Sequence, residues 1–229
     1  RWGLAMSQFC QGLGGLLLVL IFAAKGAGAA EIVATVVDDD GEAIRHAVIH
    51  AEPAAGAAPN GAPTETVIDQ IDKLYTPFVS VVRAGTRIRF PNRDNIKHHV
   101  YSFSRAKKFE LPLYAGRAAA PVLFDKPGEV TMGCNIHDWM IAHVLVVDTP
   151  HFAVTGDDGQ ARLGGLPPGD YRVRVWHPGM KGKRKAKPQV VRLGDGNAEL
   201  RFEIRLKSRH KWWREKPDDA DERYERNDG

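Results

Sequence analysis

Residues 133–140 read G-C-N-I-H-D-W-M and set a thiolate, an imidazole and a thioether at Cys134, His137 and Met140, one donor at every third position. A tight loop at a strand end turns donors so spaced toward one point. One thiolate, two imidazoles and a weak axial thioether make the donor set that favours copper in an electron-transfer role. The loop supplies three of these four groups, so a second imidazole must come from elsewhere in the chain. Zinc suits the set less well, because structural zinc sites draw on more thiolates and do not use a thioether.

Upstream, residues 90–101 read F-P-N-R-D-N-I-K-H-H-V-Y, a β-type run with adjacent histidines at 98 and 99. Neighbouring side chains on a strand face opposite ways, so only one of His98 and His99 can face the Cys134 loop. Downstream, residues 141–148 read I-A-H-V-L-V-V-D, apolar enough for a central core strand. His143 on that strand reads as structural, since the loop and one upstream histidine already complete the donor set.

These residues resemble the cupredoxins, the small blue copper proteins, and the Cys-x2-His-x2-Met spacing is that of an amicyanin-like copper loop. The likeness runs roughly from Thr64 to Asp148 and includes the lead-in V-x-F-x-x-P-G-x5-C at 122–134. It also chooses between the two histidines, because the plastocyanin-like F-x-N-x5-His spacing matches Phe90, Asn92 and His98. The resemblance implies a Greek-key β-sandwich with one type 1 copper ion on His98, Cys134, His137 and Met140, and His99 as the rival ligand. Asn92, Asn95 and backbone amides near Cys134 are candidates to orient the ligands. The resemblance further implies that His137, flanked by Ile136 and Trp139, reaches the surface as the electron port. The function it implies is transfer of single electrons between redox partner proteins, in an amine-utilisation or respiratory setting.

The flanks add a second β unit. Residues 31–53 alternate apolar and polar around an Asp-Gly turn and read as a hairpin. Residues 54–63, A-A-G-A-A-P-N-G-A-P, have linker composition. Residues 109–116, F-E-L-P-L-Y-A-G, look like an irregular crossing segment, and a bend is expected near 75–77. After Asp148 come an Asp-Gly turn, the corner L-P-P-G and an alternating strand at 171–176. This part resembles the carboxypeptidase regulatory-like, transthyretin-like sandwich modules. Their opening pattern V-x-D-x-x-G stands at 36–41, far upstream of the L-P-P-G-x-Y-x-V-x-V run at 166–175. The resemblance implies either a discontinuous sandwich with the cupredoxin inserted, or an N-terminal hairpin extending the cupredoxin sheet. The chain is expected to be all-β: a signal segment at 1–30, a hairpin at 31–56, a cupredoxin at 57–148, a second small sandwich at 149–206 and a charged, unfolded tail at 207–229.

Residues 12–24 form an apolar run followed by A-G-A at 27–29, which reads as a secretory signal and predicts a periplasmic protein. An uncleaved membrane anchor is the competing reading. With Cys10 in that segment, Cys134 is left as one lone thiol, which no intramolecular disulfide can use, and a buried metal thiolate is a physical reason to keep it. The formal charge of +4 becomes +2 without Arg1 and Lys25, too little for general nucleic-acid binding. The basic run K-G-K-R-K-A-K at 181–187 reads as a solvated loop. A copper store, or a carbohydrate- or protein-binding secreted module without redox cycling, is the alternative function. An enzyme with Cys134 and His137 as nucleophile and base is disfavoured, since nothing in the loop orients the base.

Overall fold

The computed structural model describes residues 30–55, 64–116, 120–180, 186–194, 196–207 and 216. The signal segment, most of the linker, the basic loop up to Arg184 and Lys185, and nearly all of the tail with Trp212 and Trp213 lie outside those residues. Among the described residues every regular element is a strand, so the chain is all-β, as the alternating patterns predict.

In chain order the strands are β1 (Ala30–Val37), β2 (Val48–Pro53), β3 (Glu65–Val67), β4 (Asp69–Ile71), β5 (Leu74–Thr76), β6 (Val79–Arg83), β7 (Thr86–Arg89), β8 (His98–Phe103), β9 (Lys108–Tyr114), β10 (Val122–Phe124), β11 (Gly128–Gly133), β12 (Ile141–Val147), β13 (Phe152–Val154), β14 (Gln160–Leu166), β15 (Gly169–Trp176), β16 (Gln189–Leu193) and β17 (Ala198–Glu203). One pair of sheets, ordered β14-β1-β17 and β13-β2-β15-β16, uses only the strands at the two ends of the chain. The sheets β6-β12-β11-β8-β9, β10-β7-β3 and β4-β5 use only the strands between them.

The hairpin expected at 31–53 does not form. β1 lies between β14 and β17, pairing Ile32 with Leu163 on one side and with Ala198 on the other. β2 lies in the opposite sheet, between β13 and β15. Both strands turn alternate apolar residues toward one core, where Ile32, Ala34 and Val36 meet Ile49, Ala51, Val173 and Phe202. Period-2 alternation states which face of a strand is buried and leaves its hydrogen-bonding partner open. The Asp-Gly turn therefore serves as a crossing between two sheets. Asp38 holds it locally, its Oδ1 accepting the amides of Asp40 at 3.0 Å and Glu42 at 2.9 Å.

The middle strands enclose a second core containing Ile68, Phe90, Val100, Phe124, Met132 and Val144. β12 is its central strand, flanked by β6 and β11 and buried over almost its whole length, as its apolar run predicts. The segment expected to be irregular is instead β9, an edge strand pairing Leu111 with Val100. Pro112 inside it is tolerated because an edge strand has one side with no ladder hydrogen bond to lose. The bend expected at 75–77 is present at Pro77 and Phe78, between β5 and β6, where the Thr76–Pro77 peptide is cis. A further two-residue turn, at Asp72 and Lys73 with positive φ values of 54° and 58°, joins β4 to β5.

A third cluster joins the two halves: Val48 and Trp176 from the end strands pack with Val79, Leu145 and Val147 from the middle ones. His177 is buried beside it at 2 % exposure, and its Nδ1 accepts the Gly179 amide at 3.0 Å. Burial, followed by the neighbouring His46 and His143, lowers its pKa from 6.5 to about 4, against an opposing hydrogen bond with the Arg45 backbone. Between those two pH values the unfolded chain binds more protons than the folded one. Stability is therefore fully present above pH 6.5 and falls as the pH drops toward 4, by about 3 kcal/mol over the window. In His177→Asn, an amide oxygen can accept the same Gly179 N–H without titrating. Urea unfolding from pH 7 to pH 4 should show wild type losing about 3 kcal/mol relative to this variant; parallel curves would refute the assignment.

Candidate metal centre

The site is assembled where β11 ends and β8 begins. β11 pairs with β12 from Gly128↔Val146 to Gly133↔Ile141 and touches β8 at Gly133↔Tyr101. Cys134, the next residue, is thereby delivered beside the start of β8, which His98 occupies. The loop to β12 closes on itself: the Met140 amide donates to the His137 carbonyl at 2.9 Å and the Cys134 amide to the Met140 carbonyl at 3.2 Å. Gly133 matters because a Cβ there would lie 2.9 Å from the Tyr101 hydroxyl, which covers that point of the strand. The Tyr75 hydroxyl lies 3.0 Å from both the His99 and the Gly133 carbonyls, tying the two strands together beneath the site.

His98, Cys134 and His137 each offer a ligand atom, all within 4.8 Å of one another, and all three residues are buried. The Cys134 Sγ stands 3.9 Å from His137 Nδ1, and the two imidazole rings are 4.9 Å apart between centroids. His98 Nε2 is held by Asp94 Oδ2 at 2.7 Å. Its Nδ1 is left buried and without a hydrogen-bond partner, the condition of a nitrogen kept for a metal.

Asp94 is the residue that sequence reasoning missed. Besides His98 it takes the backbone amides of Asp72 at 2.7 Å and Lys73 at 2.9 Å. Burial pushes its pKa up, but these bonds outweigh it and hold the carboxyl below its usual range. Asn92 acts one step behind, its Oδ1 accepting the Asp94 amide at 2.9 Å while its Nδ2 donates to the Ile96 and Tyr114 carbonyls. Asn95, expected to help orient the ligands, is exposed and makes no hydrogen bond among the described residues. The available signal was a carboxylate four residues before His98 in D-N-I-K-H.

Burial opposes ionisation of Cys134, yet the neighbouring His137 and His98 imidazoles and the His99 and Ile136 amides outweigh it and bring the thiol down to about 5. Burial also lowers the pKa of His98, but the Cys134 thiolate and the Asp94 carboxylate reverse that and raise it overall. The pocket thus stabilises a thiolate at neutral pH, the form in which sulfur binds metal.

No family model and no curated protein matches the chain. Among solved structures it is similar to a purple cupredoxin from Nitrosopumilus maritimus, at 20% identity over 36% of this chain and 99% of that one, with a TM-score of 0.33. An amicyanin variant is similar at 19% identity, 43% and 99% coverage and a TM-score of 0.34. A copper-containing nitrite reductase from Thermus scotoductus SA-01 is similar at 22% identity and a TM-score of 0.35, over 42% of this chain but 25% of that enzyme.

The remaining candidate residues fall as follows. Met140 is 1 % exposed and lies in the same buried cluster as Cys134. His99 points away, its Nε2 2.9 Å from Glu110 Oε1 and its ring 5.3 Å from Tyr101. His143 bonds Thr131 through Nδ1 at 3.1 Å, outside the group of three. The expectation that His137 reaches the surface is not met, since it is only 1 % exposed. Trp139, whose ring lies 5.1 Å from that of His137 and whose Nε1 donates to the Lys73 carbonyl at 3.1 Å, folds back over it. Ile136 takes the exposed position instead, at 39 %.

Proposed function

We propose that this chain is a cupredoxin-type protein that carries single electrons between partner proteins of the periplasm, using one type 1 copper ion held by His98, Cys134, His137 and Met140. The observation that carries this reading is the convergence of one soft thiolate and two imidazoles in a buried pocket. The donor chemistry fits copper: a stabilised thiolate, an unpartnered His98 Nδ1 and a thioether in the same cluster. Copper bound there supplies a one-electron couple.

The chain's own residues do the rest. Asp94 fixes the His98 ring so that Nδ1 faces the pocket, and by taking Nε2 it selects which nitrogen is available. The loop hydrogen bonds between Cys134, His137 and Met140 hold the spacing of the donors before metal arrives. Trp139 keeps water from His137. Burial of all four proposed ligand residues excludes solvent, so little rearrangement accompanies a change of charge. In this reading the end strands form a separate sandwich into which the copper-bearing one is inserted between Pro53 and Phe152.

The test is a titration of the full chain with Cu(II), followed by absorption. An intense visible charge-transfer band saturating at one equivalent is expected. A colourless complex would overturn the electron-carrier reading and leave a store or binding module.

A further inference from the structure

We infer that the cleft between the two halves of the molecule binds a small organic molecule carrying one anionic head. The cleft encloses about 800 Å³, within the range of small-molecule sites, which favour such junctions. One wall comes from the end strands, with His50 of β2 directly opposite Arg174 of β15 and Trp176 beyond them. The other comes from the β8–β9 turn with Arg105, the β10–β11 turn with Lys126, and Leu145 of β12. These turns are pressed together: Gly128, at φ +142°, would bring a Cβ within 3.0 Å of the Ala106 Cβ. The cleft is therefore framed by closely packed backbone.

Its charges are unequally spent. Glu52 stands 3.4 Å from Arg174 Nε and 3.6 Å from His50 Nδ1, so that group is largely self-compensated. Arg105 and Lys126 make no hydrogen bond or ion pair among the described residues. Two cations without an ion-pair partner in one concavity raise the local affinity for an anion. Trp176 and Leu145 offer an apolar wall for the body of the ligand. Glu129 also lines the cleft, and its carboxylate disfavours a polyanion such as nucleic acid.

The cleft lies at the Gly128 end of β11, while Cys134 follows its other end, roughly 20 Å away along the strand. The inference is thus independent of the metal reading. Calorimetric titration of the full chain at low salt, with phenyl phosphate and with inorganic phosphate as probes, tests it. Phenyl phosphate is expected to bind one-to-one and about tenfold or more tighter than inorganic phosphate, because only it uses the Trp176 wall. The exposed pair Arg105→Gln with Lys126→Gln should weaken it by about tenfold or more. Absence of saturable binding at millimolar phenyl phosphate, equal affinity for the two probes, or equal affinity in the double variant would each overturn the proposal.

Discussion

Cys134→Ser is expected to abolish the visible band completely while leaving the fold intact. The residue is 4 % exposed, and the substitution exchanges one atom of similar size, so the core around Met132 and Val100 keeps its packing. What changes is the donor. The pocket brings the thiol to about 5 and makes it a thiolate at neutral pH, whereas a serine hydroxyl stays protonated and is a hard ligand. No copper–sulfur charge transfer is then possible, and copper affinity should fall by orders of magnitude. Absorption and metal content after dialysis measure both, with circular dichroism as the check on folding. A Ser variant that kept the band would show that the sulfur is not a ligand.

The second large effect separates two adjacent histidines. His98→Ala should lose the band, because it removes one of the three groups that converge among the described residues, and Asp94 cannot substitute while it is engaged with the Asp72 and Lys73 amides. His99→Ala should keep it. That side chain faces the other side of the sheet and gives up only its bond to Glu110 and its contact with Tyr101. The same copper titration on both variants decides the matter. Exchanged phenotypes would mean that β8 is shifted by one residue against β11, since a one-residue slip turns every side chain to the opposite face.

Much of the architecture was legible in local pattern. Alternation marked β1, β8 and β15 as strands, and the continuous apolar run at 141–147 marked the central strand, because those signals depend only on which side of an element meets the core. The juxtaposition of Cys134 and His137 was legible for the same reason: their spacing is carried by one short loop. The choice of His98 over His99 needed a resemblance as well as alternation, since alternation alone says only that the two differ.

What the sequence determined by itself was the all-β class, the short loop that sets Cys134 and His137 side by side and the β character of the segments around it. Tertiary structure decided three things that no local period contains. It sent β1 and β2 into opposite sheets, because the partners of β1 lie over a hundred residues away and a burial pattern does not name a partner. It recruited Asp94, which reaches His98 only because the turn at Asp72 and Lys73 packs against it. It buried His137 beneath Trp139, since exposure depends on what folds over a residue, and Trp139 is held there by the carbonyl of Lys73, 66 residues upstream.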